Sequence, residues 1–113
     1  MSAPLGIHID EVDGRHVLHL AGEMDIATAP AVLDAATSIC DAGARDLLLD
    51  LRGIEFMDSS GLRSLLEVRT ACQQAHCRFA ISAVGPQVQR LLEISGVVDI
   101  LPLDVAEAAS AAD

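Results

Sequence analysis

The chain has 113 residues, enough for one compact domain (1–113) and too few for two. Hydrophobic residues reach 51% while aromatics stay at 2%, so a core is available but must be built from Leu, Ile, Val and Ala. The net charge is −10 and all basic side chains are Arg, with no Lys, which excludes binding to nucleic-acid phosphates and attraction to anionic lipid.

The segment from Met1 to Glu11 has neither a basic region nor a long apolar stretch, so no secretory signal is expected there. The apolar runs are too short to cross a bilayer, and no direct membrane insertion is expected. Cys40, Cys72 and Cys77 are odd in number and point to reduced thiols rather than a disulfide framework. Cys72, His76 and Cys77 lie close in sequence, but no convincing fourth ligand accompanies them, so no metal is assigned. These exclusions leave a cytoplasmic, protein-binding role.

In chain order, Ile7, Ile9 and Val12 alternate with polar residues and predict a first strand with one face buried. Asp13-Gly14 predicts a hairpin turn into a second strand over Arg15 to Ala21. The period then changes. Val32, Leu33, Ala36, Ile39 and Cys40 recur at the spacing of an amphipathic helix, with Thr28 as N-cap, Pro30 in the first turn and Gly43 at the end. Asp46 to Leu51, nearly continuous in apolar character, predicts a central strand.

A second helix is expected from Ser59 to about Ala75, with Leu62, Leu65, Leu66 and Cys72 along one side. Arg78 to Val84 predicts another strand. Gly85-Pro86 opens a third helix, with Val88, Leu91 and Leu92 apolar, and Gly96 stops it. Val98 to Leu103 is expected to form a last short strand, and Asp104 to cap an Ala-rich final helix. The alternation predicts an α/β fold: a mixed, mostly parallel sheet of four to five strands with helices packed on it.

The most unusual stretch is Phe56-Met57-Asp58-Ser59-Ser60-Gly61-Leu62, at the C-terminal end of the central strand, where α/β folds place their sites. A helix N-terminus offers unpaired N–H groups and a partial positive charge, so an anion there, including a phosphoryl group on Ser59, is favoured. Capping alone would also explain an Asp-Ser-Ser-Gly run. A serine hydrolase reading fails on composition, because Met57 stands where a nucleophile elbow requires Gly. Phosphate-loop fingerprints are absent, and no cofactor is expected. Glu23, Asp25 and Asp58 at strand ends read as a solvated acidic rim rather than a Mg²⁺ site.

Three blocks of this sequence resemble the STAS domains of bacterial anti-sigma factor antagonists, the family of sporulation and general-stress regulators. Gly22-Glu23-Met24-Asp25 is similar to the turn after that family's second strand. Phe56 to Leu62 is similar to its phosphoacceptor loop, and Leu91-Leu92-Glu93-Ile94-Ser95-Gly96 to its third helix and the following turn. Nearly the whole chain is covered, in the expected order and spacing.

The resemblance implies a STAS-like fold and a partner switch rather than an enzyme. The unphosphorylated form would bind an anti-sigma factor that is also a serine kinase, releasing a sigma factor. Phosphorylation of Ser59, with Ser60 as secondary acceptor, would end that binding, and a serine/threonine phosphatase would restore it. Glu23, Asp25, Asp58, Ser59, Ser60, Gly61 and Arg63 are the expected partner-binding residues. The best-known antagonists often carry Gly where this chain has Arg63, a cation able to meet the phosphate, Asp58 or the partner. The alternative of another class is a constitutive, non-catalytic STAS subunit of a lipid-transport ATPase complex or signalling scaffold.

Overall fold

The computed structural model describes residues 5–102. Its elements run β1 (Gly6–Val12), β2 (Arg15–Met24), α1 (Ala29–Asp41), β3 (Asp46–Met57), α2 (Ser59–Gln74), β4 (Arg78–Ile81) and α3 (Pro86–Ser95). The four strands form one sheet in the order β1-β2-β3-β4. β1 pairs antiparallel with β2, while β2–β3 and β3–β4 are parallel. Asp13 and Gly14 turn the hairpin with φ of 53° and 79°, the double left-handed geometry that suits a two-residue connection between twisted strands. The two parallel connections pass through α1 and α2, which pack against each other over the sheet. Leu18, Leu20, Leu47, Leu49, Leu51, Leu65, Val68 and Ile81 fill the interface as aliphatic residues, in keeping with the near absence of aromatics.

Several expectations are corrected. First, the alternation of β1 is real but its apolar face is not buried. Ile7 and Ile9 pair with Leu20 and Leu18 and so share their face of the sheet, yet the whole strand is exposed. β1 is an edge strand, and a groove of about 490 Å³, lined by Ile9, His16, Ile39 and Ala44 among others, separates it from α1. Second, the strand expected over 98–103 is absent from its described part. The N–H groups of Ile100 and Leu101 instead fold back on the Val97 carbonyl at 3.1 and 3.2 Å. Among the described residues of this segment, the Pro102 carbonyl reaches β4, accepting the Ile81 N–H at 2.8 Å. Leu103 and the helix expected after Asp104 lie outside the described residues.

Third, Thr28 does not cap α1 with its side chain. Asp25 organises the turn ahead of the helix instead: its Oδ1 accepts the N–H groups of Ala27 at 3.0 Å and Thr28 at 3.1 Å. The Thr28 hydroxyl instead donates to the Glu23 carbonyl at 2.8 Å, locking the turn between β2 and α1. Fourth, β2 and β3 each run several residues beyond the expected ends, to Met24 and Met57. Gly22 and Gly53 interrupt the hydrophobic pattern but not the pairing, which continues through two register shifts to Glu23↔Phe56 and Met24↔Met57.

Candidate functional site

Because β2 and β3 are parallel and end in register at Met24 and Met57, the segments that follow them emerge side by side. The Asp58 N–H donates to the Met24 carbonyl at 3.2 Å and ties the two exits together. The resulting ridge brings Glu23 and Asp25, before α1, next to Asp58, Ser59, Ser60 and Gly61, at the start of α2. All the sequence-expected residues except Arg63 therefore sit on these two junctions, and Arg63 follows one turn into α2.

Asp58 is the N-cap of α2. Its backbone is extended, and Oδ1 accepts the N–H groups of Ser60 at 2.9 Å and Gly61 at 3.2 Å, satisfying two of the helix's open donors. Capping is thus a demonstrated role of Asp58. It does not account for Ser59, which occupies the first helical position with its side chain exposed. Ser60 is half-buried beside it. Gly61 is buried for a steric reason: a Cβ there would lie 2.6 Å from Met57 Cγ and 2.8 Å from both Met24 Cβ and the Met24 carbonyl oxygen. Only glycine lets α2 start this close to the end of β2. Behind it, the Ser64 hydroxyl donates to the Ala29 carbonyl at 3.1 Å and fixes α2 to the first turn of α1. On the other flank, Gln87 of α3 brackets Met57 through both polar atoms of its amide, each at 2.9 Å.

Arg63 projects into solvent and its nearest ion-pair partner is Glu67 at 3.9 Å, one turn further along α2. It does not engage Asp58 through a salt bridge. Beside it, the first turns of α1 and α2 enclose a groove of about 340 Å³ lined by Ile26, Leu33, Ser60, Arg63, Ser64 and Glu67 among others. Its lining combines the opposite charges of Arg63 and Glu67 with the apolar Ile26, Ala29, Pro30 and Leu33. Ile26, 79% exposed, stands at its mouth, and Phe56 is exposed on β3 nearby in sequence to Ser59. Ile26 escaped the sequence reading. Its signal was an isolated large apolar residue inside a polar turn, where no strand or helix period would bury it.

A second constellation was also missed. Asp50 of β3 is buried and accepts hydrogen bonds from the Arg52 N–H and side chain at 2.9–3.1 Å, and is bonded to His19 Nδ1 at 2.8 Å. His19 Nε2 in turn lies 3.1 Å from Asp10 on β1. The Arg52 guanidinium holds the Asp50 carboxyl well below the usual carboxylate range, against the opposing effect of burial. Sequence reasoning saw histidines on strands but not that cross-strand register sets His19 opposite Asp50. The network staples β1, β2 and β3 on the sheet and lies apart from the α2 ridge.

Among the described residues, the acidic side chains of the ridge form no cluster able to hold a metal ion, whereas Cys40, Cys72 and Cys77 do converge. His76 is not part of that group. No described helix is long and apolar enough to cross a membrane.

The chain is similar in sequence and fold to known proteins. The family model of the STAS domain matches residues 7–109, and the chain belongs to that family. It is 30% identical over 104 residues to the putative anti-sigma factor antagonist BtrV of Bordetella bronchiseptica, covering 92% of this chain and 90% of that one. A crystal structure of an anti-sigma factor antagonist from Mycobacterium paratuberculosis superposes with a TM-score of 0.83 at 29% identity, covering 98% of this chain and 97% of the other. The Bacillus cell fate determinant SpoIIAA in its phosphorylated form shares the fold, with a TM-score of 0.69 at 20% identity over 92% of this chain and 96% of that one.

Proposed function

We propose that this chain is a cytoplasmic anti-sigma factor antagonist that works by partner switching and catalyses no reaction. In its unphosphorylated form it binds an anti-sigma factor with serine kinase activity, and a sigma factor is released. The kinase transfers a phosphoryl group to Ser59, binding ends, and a serine/threonine phosphatase resets the switch. The observation that carries this reading is the exposed Ser59 at the first position of α2, set between an acidic cap and an apolar groove, in a chain whose relatives bear the antagonist name.

The physical case is electrostatic. A phosphoryl group adds roughly 1.5–2 negative charges at neutral pH. Intramolecularly that charge is tolerable, because the α2 N-terminus presents partial positive charge and Arg63 lies one turn away. That a phosphorylated protein shares this fold agrees with the group being accommodated without unfolding. A docked partner, however, would have to desolvate the phosphate beside Asp58. A loss of about 2.7 kcal/mol weakens binding roughly a hundredfold. Partner contact is assigned to Glu23, Asp25, Asp58, Ser59, Ser60, Gly61 and Arg63, with Ile26 and the apolar lining of the groove supplying the area that a hot spot needs.

The test is to incubate the purified chain with ATP and the kinase-type anti-sigma factor encoded in the same genome, then locate phosphate by tandem mass spectrometry. Modification of Ser59 that disappears in Ser59→Ala supports the switch. Absence of phosphate from both Ser59 and Ser60 rejects it in favour of a constitutive binding subunit.

A further inference from the structure

The far end of α2 carries a feature that partner switching does not use. Cys40 lies in the last turn of α1, Cys72 near the end of α2, and Cys77 in the turn that leads to β4. All three are buried free thiols. Cys40 Sγ and Cys72 Sγ are 3.4 Å apart, and the three sulfurs all lie within 4.8 Å of one another. With metal–sulfur bonds of about 2.3 Å, as in zinc thiolates, sulfurs sharing one central atom sit about 3.5–4 Å apart. The cluster is therefore close to the separation at which three thiolates bind a single ion.

Charge decides which ion. The sulfurs belong to the same hydrophobic core as Ile39, Ala44, Leu47 and Val68, where an uncompensated charge is costly. Burial already pushes the Cys77 thiol up to about 11, with the neighbouring Cys40 sulfur adding to the effect, and pushes Cys72 up as well. A monovalent ion on three thiolates would leave two net negative charges in this core, and a divalent ion would leave one. Zinc in addition normally completes a tetrahedral set, and no His, Asp or Glu joins these three sulfurs among the described residues. A trivalent thiophilic centre on three thiolates is neutral and needs no fourth ligand.

We propose that Cys40, Cys72 and Cys77 form a three-thiol capture site for a trivalent metalloid of the arsenite or antimonite class. In the binding step arsenous acid exchanges its three hydroxides for three cysteine sulfurs. Three As–O bonds break and three As–S bonds form. The three thiol protons leave with the hydroxides as three waters, and arsenic stays trivalent, so no oxidant or reductant is required. Entry is through the short turn before β4. Ala75 and His76 are exposed there, and His76 holds a left-handed φ of 56°, so opening this turn uncovers Cys77 without dismantling the sheet.

The site is independent of Ser59, and its test does not depend on any protein partner. The full chain, reduced with a phosphine rather than a thiol, is titrated with arsenite and read by native mass spectrometry and thermal unfolding. The expected result is one arsenic per chain, a mass gain of one arsenic less three hydrogens, and a raised Tm, because a ligand of the native state stabilises it. Cys40→Ala and Cys77→Ala, each first shown to unfold cooperatively without ligand, are expected to bind at least about a hundredfold more weakly, more than loss of an outer-shell partner costs. Ser59→Ala is expected to bind as the parent chain does. A lowered Tm would mean capture of the unfolded chain and would overturn the site. So would undiminished binding in either cysteine variant, no adduct at all, or tighter binding of zinc or copper(I) than of arsenite.

Discussion

The two ends of α2 are built on opposite terms. At its start, Ser59 is exposed, Asp58 and Ser60 are half-buried, and a groove opens towards solvent. At its finish, Cys72 is sealed against Cys40 and Cys77. The start is capped by Asp58 and leaves Ser59 open to solvent, while the finish is packed into the core beneath the helix layer. A single helix of 16 residues thus holds an exposed serine about 20 Å from a buried anchor. Between them, Leu65 and Val68 are fully buried and seat the middle of the helix in the core.

The sharpest way to break this contrast is to remove its middle. Leu65 is fully buried, so Leu65→Ala should cost about 2–5 kcal/mol in denaturant unfolding and weaken both ends together. Gly61→Ala should act on the start alone. Its new Cβ meets backbone as well as side chain, and a loss of about 1–3 kcal/mol is expected, with partner binding reduced as α2 is pushed off β2.

Asp50 lies at neither end and serves as the control. Its folded pKa is depressed, so its contribution is fully present above the unfolded carboxylate value and is lost as pH falls through the acid range. Asp50→Asn should therefore cost about 1–3 kcal/mol at pH 7 and flatten the acid limb of a stability-against-pH profile, leaving partner binding at pH 7 intact. A smaller effect is expected at the cap: Asp58→Ala should lose about 1 kcal/mol in thermal unfolding, and Asp58→Asn less. Smallest is Arg63→Ala, within about 0.5 kcal/mol of the parent chain because the Glu67 pair is exposed and long. If Arg63→Ala nevertheless alters partner affinity, the residue is recognition surface; if both stability and affinity stay unchanged, it drops out of the site.

Much of this was legible in the sequence. α2 and its cap, α3 with its left-handed Gly96, and the Asp13-Gly14 hairpin all follow from local chemistry, which one sequence contains in full. What was not legible depends on neighbours. Alternation in β1 reveals a strand but not that it stands at the sheet edge, so the face of Ile7 and Ile9 is exposed, and the register turns Val12 to the opposite face. β4 ends at Ile81 rather than Val84, where the Ser82 hydroxyl takes the Leu51 N–H at 2.8 Å in place of a backbone carbonyl. The candidate site residues form a motif along the chain, but Ile26 and the groove beside them come together only once α1 and α2 are packed. The cysteine cluster likewise joins residues 32 apart in sequence, and proximity along the chain pointed instead to His76.

The central claim is that charge at position 59, and not the loss of a hydroxyl, breaks partner binding. The direct measurement is the affinity of the kinase-type anti-sigma factor for the parent chain, Ser59→Ala and Ser59→Asp, each confirmed folded. The account predicts near-equal affinity for the parent chain and Ser59→Ala, and a loss of roughly a hundredfold for Ser59→Asp. Equal affinity for all three would contradict it and leave the start of α2 as a capped helix in a constitutive interface.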